Sequence, residues 1–284
     1  MSTDPSQNAP STATVGLQST DGASWTRLIQ ITDPHLFASP EGQLLGMTTR
    51  RSFEAVLELA LSRHDPATRL VLTGDLVHDE SAAGYAALRA RLDATGLVYH
   101  CIPGNHDSPT LMREQLGAAV VGPVEARRLR DWNLIFLDST KPGCESGLIG
   151  DARRAALESI LAAAPQPALI FLHQHPLPIG SAWMDRLGLE DGPELLALCD
   201  RYPQVKALVC GHVHQAFARP RHGYWVLGTP STCVQFKPGS HDFAVGLELP
   251  GYRELRLGPN GRFATQIVRL DAYAEQAKQD AAGY

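Results

Sequence analysis

The sequence has no apolar run near the roughly 20 residues that a bilayer-spanning helix needs, so nothing in it marks a membrane span. Its start lacks a basic segment leading into an apolar one. Residues 1–24 are instead rich in Ser, Thr, Gln, Asn, Gly and Pro, which reads as a disordered tail and not as a secretory signal. Cysteine is sparse: five residues, none in a Cys-x-x-Cys pair, which argues against a zinc ribbon or a thioredoxin-like site. Cys101 and Cys210 fall inside apolar strands and read as small core residues. A reducing compartment suits this usage, and the cytoplasm is the expected location. Positive charge is not in excess either. A net charge of −5 over 284 residues gives no footprint for a duplex nucleic-acid binder. The expected partner is a small molecule, with neither nucleic acid nor membrane, and nothing here speaks to oligomeric state.

What the chain does have is alternation. Apolar content of 44% and charged content of 19% are ordinary for a globular protein long enough to bury a sizeable core. Short apolar runs at 28–32, 70–73, 97–102, 132–138, 169–172 and 206–210 predict strands. Between them, Phe53, Val56, Leu57, Ala60 and Leu61 recur at the spacing of one helix face, with Thr48 or Thr49 as N-cap. Tyr85, Leu88, Ala90 and Leu92 mark a second helix stopped by Gly96. Further helices are expected over 110–116, 151–163 and 193–199. From Trp225 the period changes, and strands around 225–228, 243–249, 252–257 and 262–269 predict a mainly antiparallel region. The expectation is an α/β fold with one domain over 25–272 and a polar tail over 273–284.

The strand ends carry the chemistry. Five of the runs lead into Asp33/His35, Asp75, Asn105/His106/Asp107, His173/His175 and His212/His214. In open α/β sheets ligands gather at the carboxyl ends of strands, which would bring these side chains to one crevice. Carboxylates, an amide oxygen and imidazoles suit Mn, Fe, Zn, Co or Ni. Seven ligands are too many for one ion, and Asp75, alone on its strand end, is the natural bridge between two. Gly104-Asn105-His106-Asp107 also reads as a turn capping the next helix; the four other strand ends tip the balance. His64, His78, His100, His222 and His241 have no such context and read as surface or structural residues.

In order and interval, Asp33-Pro34-His35, Gly74-Asp75, Gly104-Asn105-His106-Asp107, His173 and Gly211-His212-Val213-His214 resemble the calcineurin-like metallophosphoesterases, over roughly residues 27–230. Residues 28–33, His173-Gln174-His175-Pro176-Leu177-Pro178, Cys210-Gly211-His212 and 229–238 are similar to the bacterial class III cyclic-AMP phosphodiesterases. The resemblance implies a four-layer α/β/β/α sandwich with two divalent metal ions, Fe2+ or Mn2+ first and Zn2+, Co2+ or Ni2+ as alternatives. It implies Asp33, His35, Asp75 and His214 around one ion, and Asp75, Asn105, His173 and His212 around the other. His106 matches the residue that contacts phosphate and protonates the leaving oxygen, and Asp107 would hold that imidazole. His35, Asp75, Asn105, His106, His175 and His214 would meet the substrate, with His175 in an outer position near the phosphate. The implied activity is hydrolysis of 3′,5′-cyclic AMP to 5′-AMP by a hydroxide activated between the metals. Another phosphodiester (cyclic GMP, a 2′,3′-cyclic nucleotide) or a phosphomonoester is the alternative.

Overall fold

Apolar residues dominate the central strands, and the computed structural model shows that these strands are covered on both faces. The structure describes residues 25–62 and 67–283. The tail expected over 1–24, His64 and Tyr284 lie outside the described residues. In chain order the first half consists of β1 (Thr26–Ile31), β2 (Gln43–Leu44), β3 (Met47–Thr48), α1 (Thr49–Leu61), β4 (Arg69–Thr73), α2 (Ala82–Asp93), β5 (Val98–Ile102), α3 (Pro109–Leu116), β6 (Val124–Leu129) and β7 (Trp132–Leu137). The second half holds α4 (Gly150–Ala163), β8 (Ala168–Leu172), α5 (Ala182–Asp185), α6 (Gly192–Cys199), β9 (Val205–Cys210), β10 (Phe217–Arg221), β11 (Tyr224–Gly228), β12 (Gly251–Leu257) and β13 (Phe263–Arg269).

Two main sheets form. One runs β13-β12-β1-β4-β5, with β1, β4 and β5 parallel and the other two antiparallel. The other runs β10-β11-β9-β8-β7-β6, parallel from β11 to β7 with an antiparallel strand at each edge. Alternate residues along each strand enter different cores. Leu28, Val71, Phe136, Leu169, Phe171 and Val209 meet between the sheets. Their neighbours Ile29, Ile31, Leu70 and Leu72 pack instead on Phe53 and Val56 of α1, Tyr85 and Leu88 of α2 and Met112 of α3. Ile135, Ile170, Leu172 and Leu208 face Leu157 and Leu161 of α4 and Leu195 and Cys199 of α6. Each such side chain contributes about 1.5–3 kcal/mol through burial. The result is the four-layer α/β/β/α sandwich.

A polar chain crosses the seam between the sheets. Gln30 Nε2 donates to Thr73 Oγ1 (2.9 Å) and to Cys210 O (3.2 Å), and Thr229 Oγ1 donates to Gln30 Oε1. Fully buried Arg253 continues it to Thr229 Oγ1 (3.1 Å) and Gly228 O (2.8 Å). Burial pushes this guanidinium down to about 10.

Some expectations need correction. Residues 243–249 form no strand; Val245 makes a single bridge to Phe236, and Leu247 is 76% exposed. The region after Trp225 is mainly antiparallel, through β11 with β10 and β12 with β1 and β13, and its parallel pairing is β11 with β9. Ala90 is exposed, leaving Tyr85, Leu88 and Leu92 as the buried face of α2 with Gly84. Edge strands β6 and β10 were not anticipated. The segment after β13 packs back onto the β2–β3 hairpin: Lys278 N donates to Leu45 O (2.9 Å) and Thr48 N to Glu275 Oε2 (2.6 Å). No helix among the described residues is long and apolar enough to cross a membrane.

Candidate metal centre

Just past the ends of β1, β4 and β9 the backbone turns sharply. Asp33 (φ 52°), His35 (φ 44°), Asp75 (φ 53°), His212 (φ 68°) and His214 (φ 46°) all take left-handed conformations. Each costs on the order of 1–3 kcal/mol and persists only where its surroundings over-determine it. The turns interlock: Asp33 N donates to Gly74 O (3.1 Å), His35 N to Asp75 O (3.0 Å) and Gly211 N to His173 O (3.1 Å). Glycine permits two close approaches. A Cβ on Gly104 would meet the Asp75 carboxylate, and one on Gly211 would meet Thr32 Oγ1.

These turns aim two triads at each other. Asp33, His35 and His214 form one; Asp75, His173 and His212 form the other. All six are buried, and within each triad the donor atoms lie within 4.8 Å of one another. Asp75 Oδ2 stands between them, 3.3 Å from His173 Nε2 and 3.7 Å from His35 Nε2. Asn105 Oδ1 lies 3.1 Å from His173 Nε2.

The imidazoles are oriented from behind. His173 Nδ1 faces Thr73 O (2.7 Å), His214 Nδ1 faces Val234 O (2.8 Å) and His212 Nε2 faces Leu187 O (3.1 Å). Each carbonyl holds a proton on that nitrogen and turns the opposite one inward, where it can bind an ion once it carries no proton. His35 Nε2 and His214 Nε2 approach to 3.2 Å, and buried Asp75 Oδ2 and His212 Nδ1 have no hydrogen-bond partner. Inward-facing acceptors left unsatisfied in a buried site call for a cation. The donor set, imidazole with carboxylate and amide oxygen, therefore fits two divalent ions sharing Asp75.

Electrostatics follow the same plan. Burial holds the His35 and His212 imidazoles well below their usual range. Burial opposes ionisation of Asp75, but His173 and then His35 hold its carboxyl well below the carboxylate range. Burial likewise opposes a charge on His173, yet Asp75 raises it to about 9.

Asn105 and His106 are half-buried beside the triads. The His106 ring stacks on His78 with centroids 5.0 Å apart and meets the edge of His35 at 5.2 Å. Its backbone N–H donates to Asp75 Oδ1 (2.9 Å). Asp107 does not hold the His106 imidazole as expected. Its carboxylate accepts from Leu76 N (3.0 Å), Val77 N (3.2 Å), Gly104 N (2.9 Å) and Tyr85 Oη (2.8 Å), and so ties the Asn105–His106 loop to the loop carrying Asp75. Burial, with Asp75 nearby, raises this carboxyl to about 6.

His175 stands outside both triads. It lies behind His212, ring centroids 5.9 Å apart, with Nε2 3.8 Å from Asp185, and is absent from the lining of the cavity beside His106. His78 is the residue that sequence reasoning missed. Its position three residues after Asp75, within the same strand-end loop, was the available signal. The 229–238 segment proves to be the backing of the Asp33 triad. Ser231 Oγ donates to Asp33 O (2.7 Å), Val234 supplies the carbonyl for His214, and Phe236 stacks on the His214 ring at 4.2 Å. His100, His222 and His241 take no part in either triad. A cavity of about 190 Å³ opens beside the triads, with Asn105, His106, Glu145 and His212 as polar lining and Trp183, Leu187 and Phe243 as apolar lining.

Comparison with known proteins gives a consistent picture. A family model described as calcineurin-like phosphoesterase matches residues 26–216. The 3′,5′-cyclic adenosine monophosphate phosphodiesterase of Vibrio vulnificus is 43% identical over 246 residues, covering 86% of this chain and 90% of that protein. A 3′,5′-cyclic-nucleotide phosphodiesterase of Nostoc is 39% identical, covering 86% and 92%. Among solved structures, a dimetal phosphatase from Danio rerio superposes with a TM-score of 0.59 at 14% identity, over 86% of this chain and 98% of that one.

Proposed function

The chain belongs to the calcineurin-like phosphoesterase family, and we propose that it hydrolyses 3′,5′-cyclic AMP to 5′-AMP in the cytoplasm, lowering the cellular level of that nucleotide. The observation that carries this reading is the pair of buried triads meeting at the Asp75 carboxylate, with a half-buried histidine at their edge. Asp33, His35, Asp75 and His214 would hold one ion; Asp75, Asn105, His173 and His212 would hold the other. Two divalent ions held there, Fe2+ or Mn2+ first, would supply a nucleophile from water and offset charge on the phosphoryl oxygens.

The protein's own groups do the rest. Asn105 and His106 contact the phosphate, and His106 gives its proton to the departing ribose 3′-oxygen, a poor leaving group without one. Asp107 keeps the loop of both residues registered against Asp75 and is a positioning residue. The purine lies against the apolar lining of Trp183 and Phe243, and the naming of the relatives as cyclic-AMP phosphodiesterases supports the choice of base. Free thiols at all five cysteines suit a reducing compartment.

Purified protein of measured metal content, assayed on cyclic AMP, cyclic GMP, 2′,3′-cyclic nucleotides and simple phosphomonoesters, tests the proposal. Cyclic AMP is expected to turn over fastest. Rapid turnover of another ester beside negligible turnover of cyclic AMP would overturn the substrate assignment.

A further inference from the structure

We propose that His78 is the positioning residue that orients the His35 imidazole toward the metal, the role that backbone carbonyls play for the other inward-facing histidines. The inference rests on the two-ion reading above. An imidazole that binds an ion through one nitrogen carries its proton on the other, and that N–H needs a fixed acceptor. Thr73 O, Val234 O and Leu187 O meet this need for His173, His214 and His212. His35 points Nε2 at His214 and Asp75, so Nδ1 is its donating side, and His78 Nδ1 stands 3.1 Å from it.

His78 is itself held in place. Its backbone N–H donates to Leu36 O (2.7 Å), its ring lies 5.1 Å from that of Phe37, and the ring stacks on His106. One side chain thereby touches both a ligand of the Asp33 triad and the group assigned as the acid.

Two substitutions separate these contacts. His78→Asn keeps a polar atom near the position of Nδ1 and removes the ring. His78→Phe keeps the ring against His106 and removes the acceptor. The measurement is calorimetric titration of the metal-free full-length protein with Mn2+. Wild type is expected to bind two ions, H78F to bind one of them about 10–100-fold more weakly, and H78N to keep both affinities. Unchanged affinities in H78F, or equal weakening in both variants, would overturn the role assigned to His78. Failure of the wild type to take up two ions would instead overturn the two-ion reading, and the inference with it.

Discussion

His106, outside both triads, is proposed as the proton donor and not as a metal ligand. Its ring lies edge-on to His35, stacked on His78, while its backbone N–H grips Asp75 Oδ1. Replacement by Ala removes the imidazole and leaves that N–H in place. His106→Ala is therefore expected to retain both ions and to lose about 10²–10⁴ in rate, the usual worth of general acid catalysis. Metal analysis beside steady-state rates checks this, and loss of metal in the variant would contradict the division of roles. His173 carries a second prediction. Asp75 raises its imidazole to about 9 in the metal-free protein, so at neutral pH it holds a proton that an incoming cation must displace. His35 and His212, kept neutral by burial, release none. Affinity at the Asp75 triad is expected to climb about tenfold per pH unit between roughly pH 6 and 8, then level off above about 9. Calorimetry in buffers of different ionisation enthalpy reads the released proton directly.

At the scale of elements, the site is a set of loops pressed together after strands end. Gly104 has Asp75 against its α-carbon, and Asp107, two residues past Asn105, is bonded to Leu76 and Val77 just beyond Asp75. Gly104→Ala would drive the two loops apart at a cost of about 1–3 kcal/mol. Because Asp75 is proposed to be shared by the two ions, binding of both is expected to weaken together, as a titration of the variant would record. Much of this was legible in the sequence, since strands buried on both faces appear as largely apolar runs and the polar residues follow at once. The failures have equally physical causes. Phe243 and Val245 mimic a strand's alternation, but they pack in a loop against Trp183 and Phe236. Edge strand β6 hides because Ala126, Arg127 and Arg128 face solvent. The Asp107 carboxylate finds its partners in another loop, a long-range fact that no local pattern encodes. The same is true of His78 against His35 and His106.

At the scale of the molecule, the candidate centre lies on the seam of the sandwich. Asp33, His35, Asp75 and Asn105 follow strands of the first sheet, and His173, His212 and His214 follow strands of the second. Beneath them the contact between sheets is the apolar layer of Leu28, Val71, Phe171 and Val209, with the Gln30–Thr229–Arg253 chain running through it. Bound ions would act as further cross-links between the two sheets, and would favour the folded chain by mass action. At an ion concentration a hundred times Kd, each independent site adds about 2.7 kcal/mol. For a chain of this size, each kcal/mol moves Tm by about 2–4 °C. Removal of the ions with a chelator is expected to lower Tm by about 5–10 °C per site, and readdition of Mn2+ to restore it. The Asp75→Ala variant, which breaks the shared ligand, is expected to melt near the chelated wild type and to respond little to Mn2+. A chelated protein that melts with the loaded one, by calorimetry at matched pH, would show that the ions do not link the sheets.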